Sequence, residues 1–115
     1  MTPADLAAAF EHHLRLSVLR ALADAPGLTL NESVLTDYLP TLGLTPSRDR
    51  IRGALAWLAE QGLIAPIEDE SLMVARLTGR GEDVARGRAT HPGVKRPSAD
   101  SIMRGAALSA ASLLG

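Results

Sequence analysis

Two apolar stripes run along the first quarter of the chain, and they constrain its fold more than any other feature. Leu6, Phe10, Leu14, Val18 and Leu22 recur every four positions, the spacing that places side chains on one face of an α-helix. Ala9, His12, Leu16, Leu19 and Ala23 step by threes and fours along a second face. A helix that is apolar on two sides needs two partners. Residues 5–25 are therefore expected to form a helix enclosed by other elements or by a second subunit, with Pro26 and Gly27 ending it.

The next segments are shorter. Asn31 can cap the free N–H groups of a second helix, with Leu30 packing on Leu35 as a hydrophobic staple. Val34, Leu35, Tyr38 and Leu39 are expected to supply its buried side, and Pro40 disfavours helical geometry at Leu39. A third helix opens at Thr45-Pro46-Ser47, with Ser47 as the cap, and closes at Gly62. Its inward face is Ile51, Ala54, Leu55 and Leu58, which leaves Arg48, Arg50, Arg52 and Gly53 outside.

Beyond Gly62 the pattern changes. Residues 63–67 and 72–77 are short apolar runs separated by the polar Glu68-Asp69-Glu70-Ser71, the signature of a hairpin. Pro66 restricts its strand to an edge or a strand end. Thr78 caps a fourth helix running to about Gly87, and residues 91–98 read as a basic linker carrying Lys95 and Arg96. From Ala99 onward Ile102, Met103, Ala106, Ala107, Ala110, Leu113 and Leu114 fit an alanine-rich helix that cannot stand alone in water. The expected division is a domain over 1–90, the linker 91–98 and a docking or dimerising helix over 99–115.

Three helices, a hairpin and a helix make a mainly α fold with a small β-hairpin, in the order of a winged helix-turn-helix with a C-terminal helical extension. In that fold the start of the third helix approaches base edges. Here that start is Ser47-Arg48-Asp49-Arg50-Ile51-Arg52, and the arginine fork can pair with guanine O6 and N7 or with a phosphate. Ser47, Arg48, Arg50 and Arg52, with Lys95 and Arg96 as a possible arm into a minor groove or onto phosphates, are the expected DNA contacts. The stripe through His12, Leu16 and Leu19, together with Ile102, Ala106 and Leu113 of the tail, is the expected homodimer contact, with burial in cis as the alternative.

Residues 55–64, Leu55-Ala56-Trp57-Leu58-Ala59-Glu60-Gln61-Gly62-Leu63-Ile64, followed by Leu77-Thr78-Gly79-Arg80-Gly81-Glu82-Asp83-Val84-Ala85-Arg86-Gly87, resemble the small ArsR-like winged-helix proteins of Mu-like phages and prophages. Pro92-Gly93-Val94-Lys95-Arg96-Pro97-Ser98 is similar to their usual ending. The resemblance covers roughly residues 6–98 and implies a winged helix and, by analogy of fold, a transcriptional regulator. The tail beyond Ser98 is longer than that pattern.

Other function classes find little support. With no Cys there is neither a disulfide framework nor a thiolate metal site. His12 and His13 point about 100° apart and are poorly placed to grip one ion, so no metal and no cofactor is expected. Gly79-Arg80-Gly81 lacks the third glycine and the βαβ setting of a dinucleotide loop, Trp57 reads as a packing residue, and no catalytic constellation occurs. No apolar run approaches the roughly 20 residues needed to span a bilayer, so a cytoplasmic protein in the bacterial host is expected.

A net charge of −1 excludes a protein that coats nucleic acid through bulk charge. DNA contact would have to come from the local arginine cluster, while Glu68, Asp69 and Glu70 would keep the hairpin tip away from phosphates. A protein-binding adaptor that uses the same scaffold to hold a host or phage protein is the competing reading.

Overall fold

The computed structural model describes residues 1–67 and 73–98. Helix α1 (Pro3–Asp24) opens on a capping box in which the Thr2 hydroxyl accepts from Asp5 N and the Asp5 carboxylate accepts from Thr2 N. A 3-10 turn (Pro26–Leu28) leads into strand β1 (Thr29–Asn31), helix α2 (Glu32–Tyr38) and a second 3-10 turn (Leu39–Leu42). Helix α3 (Arg48–Glu60), strands β2 (Ile64–Ile67) and β3 (Val74–Leu77) and helix α4 (Gly79–Ala85) complete the order.

The fold is mainly helical with a small antiparallel sheet, a winged helix-turn-helix. Asn31 caps α2 by accepting from Val34 N at 2.8 Å, and Ser47 caps α3 by accepting from Arg50 N at 3.2 Å, both as expected. Gly62 ends α3 in the left-handed region at φ 73°. Its N–H bonds Ala59 O and the next N–H, of Leu63, bonds Leu58 O, the two bonds of a Schellman motif.

The sheet holds one strand that the sequence reading missed. Residues 29–31 pair antiparallel with β3, Leu30 opposite Ala75, so the order is β1-β3-β2. Pro66 lies on β2, an edge strand, where its missing N–H leaves no gap between strands.

The core gathers Leu14, Val18, Leu19 and Leu22 of α1, Leu35 and Leu39, Ile51, Leu55 and Leu58 of α3, Leu63, Ala75, Leu77 and Val84. Three expected core residues lie outside it, Tyr38 being only half-buried. Leu6 is 61 % exposed because the first eight residues run past the body of the domain, and Val34 is 44 % exposed. In α2 the inward face is Glu32, Leu35 and Leu39, and a turn of about 100° per residue carries Val34 off it.

The expected dimer stripe on α1 is corrected in the same way. Leu19 is fully enclosed in the domain's own core and Leu16 is buried, leaving His12 exposed. Helix α1 finds its two partners in cis, packing against α3 on one side and α4 on another. Ile102, Ala106 and Leu113, and the helix expected over 99–115, lie outside the described residues, as do Glu68, Asp69 and Glu70.

One glycine in α4 is set by its neighbours. A Cβ on Gly81 would run into the Leu63 carbonyl oxygen and come within 2.8 Å of Leu77 Cδ1. Elsewhere in a helix Gly→Ala stabilises by up to about 1 kcal/mol. At Gly81 the sign reverses, and Gly81→Ala is expected to cost about 1–3 kcal/mol in urea unfolding because backbone must shift. A more stable variant would contradict this seating of α4 on the loop after α3.

Candidate nucleic-acid interface

Helix α3 presents Arg48, Asp49, Arg52, Gly53, Ala56 and Glu60 to solvent. The spacing of the apolar residues dictates this, since Ile51, Ala54, Leu55 and Leu58 take the opposite side. All three arginines of the first turns are exposed at the surface, as the sequence implies, but they are held differently.

Arg48 forms no contact ion pair among the described residues; it is exposed, and its charge reaches the Glu32 carboxylate only through space. Arg50 turns back toward α1. Its Nη1 donates to Glu11 Oε1 at 2.7 Å and its guanidinium lies over the Phe10 ring at 5.4 Å. With its charge directed to Glu11, it ties α3 to α1 while its side chain stays about as exposed as that of Arg52.

Arg52 is clamped. Its Nε donates to Glu32 Oε2 at 2.7 Å and its Nη2 to Glu32 Oε1 at 3.0 Å. The Glu32 side chain is only 2 % exposed, against 49 % for Arg52. Glu32 is itself anchored, because its N–H donates to Met73 O at 2.9 Å just before β3. The hydrogen bonds from Arg52 hold the Glu32 carboxyl below the usual carboxylate range, overcoming the opposite push of burial.

That shift predicts a pH dependence. A carboxyl whose value is lowered by folding contributes stability that is present above the ordinary Glu value of about 4.3 and is lost as the pH falls through the lowered one. Melting temperature should therefore decline on acidification below that range. In Arg52→Ala the neutral-pH melting point should drop and the acid decline flatten; an unchanged acid limb by circular dichroism would contradict the clamp.

Residues 91–98 are fastened to the domain. Lys95 N donates to His12 O at 3.2 Å, Arg15 Nη1 donates to Gly93 O at 2.9 Å, and Pro97 is buried. Arg15 stacks 3.9 Å from the Trp57 ring centre while His91 meets the same ring edge-on at 5.8 Å, so the half-buried Trp57 joins α1, α3 and this segment. Gly93, at φ 91°, lies so close that a Cβ would reach 2.7 Å from Trp57 Cζ2. The Lys95 and Arg96 side chains are exposed beside α1, and no hydrogen bond or ion pair among the described residues joins them to Arg48 or Arg52. Burial, reinforced by the Lys95 charge, pushes His13 below its ordinary value.

Sequence reasoning missed Glu32. It follows the Asn31 cap, where an acidic residue is common for its effect on the helix dipole, and nothing in its spacing marks it as buried.

Against known proteins, the chain is 48 % identical over 83 residues to the uncharacterized protein gp26 of Escherichia phage Mu, a match covering 72 % of this chain and 85 % of that one. The chain belongs to the family of Mu gp26. A second relative, an uncharacterized protein of Haemophilus influenzae, is 47 % identical over 68 residues, 57 % of this chain and 65 % of the relative. The expected kinship with proteins of Mu-like phages is thus shown. No family model and no solved structure matches the chain. No helix among the described residues of this gp26-family chain is long and apolar enough to cross a membrane.

Proposed function

We propose that this gp26-family chain is a sequence-specific DNA-binding regulator of the ArsR-like winged-helix kind, acting as a homodimer in the host cytoplasm with α3 in the major groove. One observation supports the reading: α3 begins, after the Ser47 cap, with an exposed, unclamped Arg48 and a clamped but half-exposed Arg52 on one outward face. Gly53 and Ala56 continue that face, and small side chains let a helix approach a groove floor closely. Lys95 and Arg96 would meet phosphates from the α1 side. Dimerisation would fall to Ile102, Ala106 and Leu113, since Leu19 is occupied in cis.

The test is binding of labelled duplex, followed by fluorescence anisotropy, at about 50 mM and 200 mM salt. Duplex binding through a few phosphates weakens as salt rises, by close to one power of the salt concentration per phosphate met. Binding that ignores salt, or none at the lower salt, would overturn the reading.

A second reading, an adaptor for a host or phage protein, draws on a different feature. Beside the start of α3 lies an apolar groove of about 450 Å³ lined by Pro3, Leu6, Ala7, Phe10 and Pro46. An adaptor of this kind would bind no duplex at low salt and would lose its partner on Leu6→Asp.

A further inference from the structure

We infer that Arg52 reads a guanine, with Glu32 as the residue that positions it, while Arg48 supplies salt-dependent affinity; this rests on the DNA-binding reading above. A guanidinium carries five N–H donors. Glu32 takes one from Nε and one from Nη2, at 2.7 and 3.0 Å. Three N–H groups remain, and of these one on Nη1 and the second on Nη2 form the end-on fork. That fork is donor-only, and guanine is the base whose major-groove edge offers two adjacent acceptors, O6 and N7. Adenine pairs its N7 acceptor with an N6 donor, which opposes the fork, and neither pyrimidine offers two acceptors.

The clamp also fixes where the fork points. Glu32 sits in the first turn of α2, its N–H is tied to Met73 O, and its side chain is almost wholly buried. The guanidinium plane is thus set by α2, α3 and the entry to β3 before any ligand arrives, and a prepositioned donor loses less freedom on binding. Its charge is offset by Glu32, so Arg52 adds little to attraction for phosphates. Arg48 feels the Glu32 charge only through space and makes no direct salt bridge among the described residues, so its guanidinium is left to meet phosphates.

The roles separate in one experiment. The full chain selects duplexes from a randomised pool, and affinity for the selected duplex is measured against salt for the wild type, Arg52→Lys, Arg52→Ala, Glu32→Gln and Arg48→Ala. The wild type is expected to select a motif with a fixed G·C pair. Replacing that guanine by 7-deazaguanine, which lacks the N7 acceptor, should weaken the wild type roughly 5- to 150-fold and leave Arg52→Ala unaffected. Arg52→Ala removes the donors, so the guanine preference should disappear; Arg52→Lys keeps the charge but not the planar fork, so the salt slope should stay while the preference weakens, and Glu32→Gln should weaken it in the same direction. Arg48→Ala should keep the preference and lower the slope by about one. If Arg52→Ala selects the wild-type motif, the inference is overturned while DNA binding stands. If no duplex is retained at low salt, the DNA-binding reading falls and this inference with it.

Discussion

Leu19→Ala is expected to lower the unfolding free energy by about 2–5 kcal/mol, the range for removing a fully buried leucine and leaving a cavity. At roughly 4–8 °C per kcal/mol for a domain near this size, a fall in melting temperature of about 8 °C or more should be seen. The size follows from enclosure: Leu19 is wholly inaccessible and packs in a cluster fed by α1, α3, β3 and α4. The loss should not depend on protein concentration. A stripe that met a second subunit would instead lose stability by mass action, with a melting point that rises with concentration in the wild type and less so in the variant. Calorimetry across a tenfold concentration range therefore separates a cis core from a subunit contact at this residue.

The second large effect lies on the outward face of α3. Arg48→Ala combined with Arg52→Ala should reduce duplex affinity by about a hundredfold, because it removes both a phosphate-competent charge and a base-directed fork worth some 1–3 kcal/mol. Arg50→Ala provides the contrast. Its Nη1 is engaged with Glu11 at 2.7 Å and its guanidinium is placed over Phe10, so its removal should leave DNA affinity within about twofold while loosening the α1–α3 contact. Equal losses for Arg50→Ala and Arg52→Ala in a gel shift would show that the two ion pairs do not govern which arginine meets DNA.

Much of the scaffold is legible from local rules. The Asn31 and Ser47 caps, the Gly62 stop and the edge placement of Pro66 all follow from what those residues do to the backbone within a few positions. The outward face of α3 follows from the spacing of Ile51, Ala54, Leu55 and Leu58.

What escaped the sequence depends on distant parts of the chain. Strand β1 has three residues and exists because β3 pairs with it from more than 40 positions away. The stripe through Leu16 and Leu19 advertises burial, but periodicity does not say whether the cover comes from α3 and α4 or from another molecule. The same limit applies to the site. Spacing shows that Arg50 and Arg52 leave the core, yet Glu11 and Glu32 reach them only once α1 and α2 have packed against α3. Charge partners are tertiary facts, and they divide three similar arginines into one without a direct salt bridge among the described residues, one diverted and one clamped.

The central claim is that the outward face of α3 meets a duplex. Amide chemical shifts of the full, isotope-labelled chain, recorded while a selected duplex is added at low salt, test it most directly. Changes should concentrate at Arg48, Asp49, Arg52, Gly53 and Ala56, with smaller ones at Lys95 and Arg96. Changes confined to Leu6, Phe10 and their neighbours around the apolar groove, or no changes at all, would contradict it.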